Sequence, residues 1–338
     1  MKILVTGGLG YIGSHTVVEL QNEGFEVVVI DNLSNSSITV LDGIKAITGK
    51  KPIFEELDLR EKSKVQDFFK RHDDIAGVIH FAASKAVGES MEKPLLYYEN
   101  NLGVLVYILQ ELIKKKSASF IFSSSCTVYG EADEMPITEN APVKSAESPY
   151  GNTKQVGEEV ISDTCRVNPN LKAIALRYFN PIGAHPSTQI GELPIGVPQN
   201  LVPYITQTGV GLREQLSVFG DDYPTQDGTC IRDYIHVVDL AKAHVIALQR
   251  LIQGDNQENY EVFNLGTGKG SSVLEVIKSF ERVSGKTLNY KIEHRRPGDV
   301  VQAYANTQKA NEVLGWKAKS TLDEAMKSAW DWECKIRS

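Results

Sequence analysis

Two short stretches carry side chains whose types and spacing could do chemistry. They are Ser123-Ser124-Ser125-Cys126-Thr127-Val128-Tyr129-Gly130 and Tyr150-Gly151-Asn152-Thr153-Lys154. Phe120-Ile121-Phe122 precedes the first and reads as a strand, so the serines sit at a strand's C-terminal end, where open α/β sheets bind ligands. The second opens an expected helix running to about Val167, on which Tyr150 and Lys154, at i and i+4, share a face. A free phenol ionises near pH ~10, and an adjacent ammonium favours the phenolate. Tyr150 could therefore act as a base, with Ser125 relaying or stabilising the moving proton. Isolated Tyr-x-x-x-Lys pairs also recur by chance on solvated helix faces, so the meaning of this one rests on the elements around it.

Those elements begin at the N-terminus. Lys2 to Thr6 reads as a buried strand, followed by Gly7-Gly8-Leu9-Gly10-Tyr11-Ile12-Gly13, an amphipathic helix through Glu23, and the apolar strand Val27-Val28-Val29-Ile30 ending at Asp31. In such a βαβ unit Gly7 and Gly10 let the backbone approach a pyrophosphate, and Gly13 lets the helix pack close to the strand. The helix N-terminus offers free N–H groups to the phosphates. Asp31 follows Gly13 at nearly the spacing, about 20 residues, at which an acid binds the adenosine ribose. A carboxylate there repels a 2′-phosphate, which favours NAD over NADP.

Strands then alternate with helices. Ile53 to Leu57 ends at Asp58, placed for the adenine amino group, and Ala76 to Phe81 ends in the small Ala82-Ala83. A long helix is expected over 93–116, closed by Lys114-Lys115-Lys116, whose charges complement the helix dipole. Leu171 to Tyr178 makes a sixth strand. The alternation predicts a Rossmann-type, doubly wound parallel sheet, assigned to residues 1–180 with elements returning around 235–265. Residues 181–235, rich in Gly, Pro, Asn and Asp with one helix near 201–209, predict a smaller, interleaved C-terminal α/β lobe that caps the sheet edge. Helices are expected over 235–250, 271–284 and 322–335, and a strand at 262–265.

Composition narrows the class. The chain has 338 residues, 41% of them hydrophobic, and a net charge of -7, which is ample for a core and lacks the basic balance of a nucleic-acid binder. No apolar run approaches the ~18 residues of a membrane span, and the opening strand leaves no room for a signal peptide. The four cysteines, Cys126, Cys165, Cys230 and Cys334, show no metal or disulfide spacing, which fits a reduced cytoplasmic setting. Cys126 lies beside the proposed site but has no neighbouring His in sequence, so it reads as a small packing residue. His185 and His236 lack metal-ligand spacing and read as polar or packing groups. No metal is expected.

Together with Asp31-Asn32, Tyr129-Gly130 and Arg177-Tyr178-Phe179-Asn180, the glycine turn and the Ser/Tyr/Lys set give a chain that resembles the extended short-chain dehydrogenase/reductases over its full length. Within that group it is similar to the UDP-galactose 4-epimerase family. The similarity runs through Lys85-Ala86-Val87-Gly88-Glu89-Ser90, Asn180-Pro181-Ile182-Gly183-Ala184-His185, Gly228 to His236 and Arg295-Arg296-Pro297-Gly298-Asp299.

The resemblance implies roles residue by residue. Tyr150 would be the acid/base, Lys154 would hold the nicotinamide ribose and lower the Tyr150 pKa, and Ser125 would assist the proton transfer. NAD would be bound by Gly7, Gly10, Tyr11, Ile12, Gly13, Asp31, Asn32 and Asn35. Asp58, Leu59, Phe81, Ala82, Lys85, Asn100 and Ser123 would complete its site, with Tyr178 on the nicotinamide side. The UDP-sugar would meet Lys85, Ser125, Tyr150, Asn180, Asn200, Leu201, Ser217, Phe219 and Asp299, with Arg232 and Arg296 on its diphosphate. Forked guanidinium groups suit such planar acceptor arrays.

The resemblance also implies that a residue shortly after the Arg295–Asp299 segment borders the sugar's C2 side; aligning Arg296 to Ala303 puts Ala303 there, small enough to admit N-acetyl sugars, and a register one residue later brings Tyr304 there. A homodimer is implied through the helices 93–116 and 150–167. The implied reaction is reversible C4 epimerisation through a 4-keto sugar with retained NAD. A nucleotide-sugar 4,6-dehydratase would place Asp-Glu after the site Ser/Thr, where this chain has Cys126-Thr127. A non-catalytic NAD-binding sensor would keep the glycine turn and Asp31 but lose Tyr150 and Lys154.

Overall fold

The computed structural model describes residues 1–296 and 298–338; Pro297 of the Arg295–Asp299 segment lies outside the described residues. Continuous apolar runs build the centre. Ile3, Leu4 and Val5 of β1 (Lys2–Thr6) are all fully buried, as a parallel strand covered on both faces requires. The other strands of this sheet are β2 (Glu26–Asp31), β3 (Ile53–Glu56), β4 (Ile75–His80), β5 (Ala118–Ser123), β6 (Leu171–Tyr178) and β10 (Tyr260–Leu265). They form seven parallel strands in the order β10-β6-β5-β4-β1-β2-β3.

Side-chain alternation divides the core. Ile3 and Val5 join Ile79, Ile121 and Ile174 in a cluster with α1 (Tyr11–Asn22), α2 (Val40–Thr48) and α9 (Val237–Gln253). Leu4 faces the other way, with Val28, Val78 and Phe120, against α3 (Lys62–Arg71), α6 (Val104–Leu112) and α7 (Pro149–Val167). The strand order reverses between β1 and β4, so the crevice beyond their C-terminal ends is the ligand position of an open α/β sheet.

The expected helix over 93–116 is segmented. α5 (Pro94–Tyr97), a π-helical stretch at Tyr98–Gly103 and α6 make up the run, which ends at Leu112, short of the Lys114-Lys115-Lys116 expected to close it; α4 (Val87–Glu92) is a separate short helix before it. Pro94 opens α5 because it cannot donate within a continuing helix, and the π turn carries Asn100 and Asn101. The helix expected from Ile235 begins at Val237, because Ile231–His236 is the strand β9 and the His236 ring caps the helix by accepting from the Val238 N–H at 3.0 Å. The helix expected from Ser271 begins at Val273, where Ser272 and Glu275 form a capping box.

The remaining segments make the smaller lobe. β7 (Asn180–Ile182) and β13 (Gln302–Ala303) pair parallel to β9, and β11 (Gly270–Ser272) pairs antiparallel to it. β8 (Leu216–Phe219) pairs with β12 (Tyr290–Glu293). α8 (Leu201–Gly209), α10 (Val273–Ser284) and α11 (Leu322–Arg337) share a core with them built on Phe280, Met326 and Trp330. No described helix is long and apolar enough to cross a membrane.

Candidate active site

The β1–α1 turn is a cradle in which side chains would collide. Gly7 has φ +65°, and a Cβ there would lie 2.8 Å from the Ala82 nitrogen; one on Gly13 would lie 2.3 Å from the Gly7 carbonyl oxygen. Gly10 caps α1 with no side-chain hydrogen bond, and the first turn holds no acidic residue, so its dipole faces the crevice unneutralised. Backbone this close to the next strand, beneath a bare helix N-terminus, suits a pyrophosphate, and the residues fit a dinucleotide.

Asp31 ends β2 and is nearly buried; its two oxygens accept from the Leu9 N–H at 3.1 Å, the Leu33 N–H at 3.0 Å and the Ser36 hydroxyl at 2.8 Å. The loop that follows β2 is thereby tied to the carboxylate. Asn32 accepts from Ser34, and Asn35 is exposed beside it. Asp58 is paired with Arg60 at 2.6 Å, and this contact holds its carboxyl below the usual range. Leu59 is buried, Ala82 N donates to Thr6 Oγ1 at 3.3 Å, and Phe81 packs on His244. Ile12 joins the core against the sheet. Tyr11 takes another part: its hydroxyl donates to the Gly183 carbonyl at 2.6 Å and ties the glycine turn to the smaller lobe.

Across the crevice Lys154 is 5% exposed; its ammonium donates to the Ser123 carbonyl at 2.6 Å and sits 5.8 Å from the Tyr150 ring centroid. Burial pushes it down to about 8. The Ser123 hydroxyl is hydrogen-bonded to the Tyr178 hydroxyl at 2.5 Å. The expected lowering of the Tyr150 phenol is not what the protein alone produces. Burial drives it up, Tyr178 and Cys126 reinforce that, and Ser125 works in the opposite direction. Burial also lifts the Cys126 thiol to about 11, which fits packing rather than nucleophilic attack. Among the described residues no group of three or more His, Cys, Asp or Glu could hold a metal.

Asn100 donates to the Ser84 hydroxyl at 2.8 Å. Its neighbour Asn101 does more. It accepts from the Ser84 N–H at 2.8 Å and donates to the Ser84 carbonyl and to Thr153 Oγ1, both at 3.0 Å, so it couples the loop after β4 to α7 between Tyr150 and Lys154. Sequence reasoning missed Asn101, because only the π turn directs it inward.

In the smaller lobe Asp299 gathers two arginines. It accepts from Arg296 at 2.9 and 3.2 Å and lies 3.6 Å from Arg232, while the Arg296 guanidinium covers the Phe219 ring at 4.9 Å. Ser217 lies two residues earlier on β8. Arg232 is further fixed by its bond to the Val300 carbonyl at 2.9 Å, and its charge reaches Cys126, so this cluster borders the strand end at Ser123 to Cys126. Asn180 stands on β7 beside β9. Asn200 precedes Leu201 at the start of α8 and donates to Glu192, whose electrostatic neighbours include Lys85. Lys85 itself is exposed. Ala303 packs against the cluster of Val128, Tyr129 and Phe179. His185 and His236 hydrogen-bond to Ser187 and Ser328.

Comparison with known proteins gives the family. The family model described as GDP-mannose 4,6 dehydratase matches residues 4–329. The chain is 51% identical to the UDP-glucose 4-epimerase of Bacillus subtilis, over 98% of this chain and 97% of that protein. Its fold superposes with TM-score 0.95, at 45% identity, on the UDP-glucose-4-epimerase of Stenotrophomonas maltophila with bound NAD and formylated UDP-arabinopyranose, covering 100% of this chain and 99% of that one. It superposes with TM-score 0.94, also at 45% identity and with the same coverage, on the Bifidobacterium longum enzyme in complex with NAD+ and UDP.

Proposed function

This chain belongs to the UDP-glucose 4-epimerase family, and we propose that Ser125, Tyr150 and Lys154 carry its chemistry while Arg232, Arg296 and Asp299 grip the nucleotide. The reaction is the NAD-dependent interconversion of UDP-glucose and UDP-galactose at C4. NAD, which the Gly7/Gly10/Gly13 turn and Asp31 would hold, would supply a hydride acceptor in the first half of the cycle and the donor in the second. Tyr150 removes the 4-OH proton as C4 is oxidised and returns it after the 4-keto sugar has presented its other face. Ser125 donates to the Tyr150 phenolate that accepts this proton, and the Lys154 ammonium stabilises that phenolate against the burial that otherwise keeps the phenol protonated.

Epimerisation requires a firm hold on the UDP and a loose one on the sugar. The charged side chains of the Arg232–Asp299–Arg296 cluster fit the first need. Cys126, Ser125 and Ala303, all small, fit the second. Ala303 also leaves room on the sugar's C2 side, so turnover extends to UDP-N-acetyl sugars. The absence of a carboxylate at Cys126-Thr127 leaves nothing at those positions to remove water from C5–C6, which argues against dehydration.

Two further readings concern the setting. Leu95 is 81% exposed on the segmented helix that runs beside α7 and Met91 61% exposed on α4 before it, an apolar face that suits pairing of two copies as a homodimer. Four free thiols suit the cytoplasm.

The observation that carries the mechanism is the Lys154 ammonium held by the Ser123 carbonyl over the Tyr150 ring. Proton NMR of UDP-galactose with purified protein and no added NAD tests it. Wild type should give UDP-glucose to a constant ratio, and Tyr150→Phe should lose about 100-fold or more in turnover while retaining NAD. An active Tyr150→Phe would remove Tyr150 from the chemistry.

A further inference from the structure

Tyr150, Lys154 and Glu158 follow one another at four-residue steps along α7, so all three fall on one helix face. Glu158 is 7% exposed and lies in a closed polar cluster. It accepts from the Ser124 hydroxyl at 2.5 Å, from Arg177 Nε at 2.9 Å and Nη2 at 2.6 Å, and from the Tyr260 hydroxyl at 3.2 Å. Arg177, also 7% exposed, continues to the Tyr129 hydroxyl at 3.0 Å, which donates to Asn264 at 2.7 Å. The proton transfer described above uses none of these groups, yet burying so many charges is costly unless every partner is present.

The cluster is continuous with the reacting residues. Ser124 stands between Ser123, whose carbonyl holds Lys154, and Ser125, and its own N–H donates to the Leu176 carbonyl at 3.0 Å. The Ser124 side chain is therefore the peg that attaches this strand end to Glu158. Around the Lys154 ammonium, α7 contributes Tyr150 and Glu158, β4 contributes His80, β5 contributes the Phe122 ring at 5.0 Å, and β6 contributes Tyr178 through Ser123. His80 is buried against Thr6 and is held neutral, down to about 3, by burial and by the Lys154 charge. Glu158 is the charged group that works to keep Lys154 protonated.

Resting on the Ser125/Tyr150/Lys154 reading, we propose that Glu158 is a positioning residue for the proton transfer. It pegs Ser124, and so the Ser123 carbonyl and Ser125 hydroxyl, in place, and sets a carboxylate one helical turn from Lys154 on the same face of α7. Arg177 and Tyr260 hold the Glu158 carboxylate in the one orientation that does both.

The experiment is the pH dependence of kcat and KM for UDP-galactose in NAD-loaded enzyme, with melting temperatures measured alongside. Glu158→Gln keeps an acceptor for Ser124 and removes the charge. Its kcat should fall about tenfold or more at pH 8, with KM changed less than about threefold, and its alkaline limb should move to lower pH by about one unit. Glu158→Asp should return the alkaline limb to the wild-type position. Ser124→Ala leaves every charge in place, so kcat should drop several-fold with the limb unmoved, and this variant decides the issue should Glu158→Gln fail to fold. An alkaline limb unmoved in Glu158→Gln, with activity following only the loss of melting temperature, overturns the proposal, as does wild-type kcat in Ser124→Ala. Lys154→Met, run in parallel, separates the two readings: if it stays active, the Ser/Tyr/Lys assignment is what fails.

Discussion

Ala303 stands opposite Arg232 in the parallel pairing of β13 with β9, and its neighbour Tyr304 packs its ring toward Gly270 instead. Strand alternation separates the two side chains. The small residue therefore shares a register position with an arginine of the proposed diphosphate clamp, and packs against the cluster that holds Tyr129 and Phe179.

From this pairing, Ala303→Tyr should fill the space on the sugar's C2 side. Turnover of UDP-N-acetylgalactosamine should drop roughly 100-fold, with UDP-galactose affected much less, since overfilling a pocket discriminates by size. Parallel assays of wild type and variant with both sugars give the comparison. Wild-type enzyme inactive on the N-acetyl sugar would remove Ala303 from this role.

Gly13→Ala places a methyl 2.3 Å from the Gly7 carbonyl. Overpacking of this kind costs about 1–3 kcal/mol, so NAD retention should weaken by about 10- to 100-fold, read as nucleotide released on gel filtration. Gly24→Ala is the control. Gly24 also has positive φ, +81°, but open space around its Cβ position, so it should lose about 1 kcal/mol of stability and keep its cofactor.

Arg232→Lys should raise KM for UDP-galactose by about tenfold or more with little change in kcat, because an ammonium cannot reproduce the planar fork. Arg296→Lys should cost less, since the Arg296 side chain is 55% exposed and that of Arg232 is 16% exposed. Steady-state kinetics of the two variants test the ranking, and equal effects would contradict it.

Acid should destabilise the fold through three buried imidazoles. His15 and His80 are lowered to about 3 and His244 to about 4, in each case mainly by burial. The folded protein keeps these rings neutral where the unfolded chain protonates them, below about pH 6.5. Their contribution is therefore complete above pH ~6.5 and is lost as pH falls toward the folded values, at about 1.4 kcal/mol per pH unit for each ring. Urea unfolding between pH 7 and 5 should show this slope, and His244→Gln should remove one ring's share of it.

Much of the architecture was legible because its signals are local. The apolar runs Ile3–Val5 and Val27–Ile30 mark buried parallel strands, Gly7, Gly10 and Gly13 permit a close turn, and Asp31 ends the next strand. The i, i+4 spacing of Tyr150 and Lys154 survives in any helix, so their shared face needed no coordinates. Tertiary structure decided what local spacing cannot encode. It inserted into the expected helix the π turn that aims Asn101 at Thr153, and ended that helix at Leu112. It also brought Arg232 to the Asp299 that already pairs with Arg296 within its own loop, and Glu158 under Ser124, contacts between residues far apart in sequence. The upward push on the Tyr150 phenol likewise comes from space, because burial is set by everything packed around it.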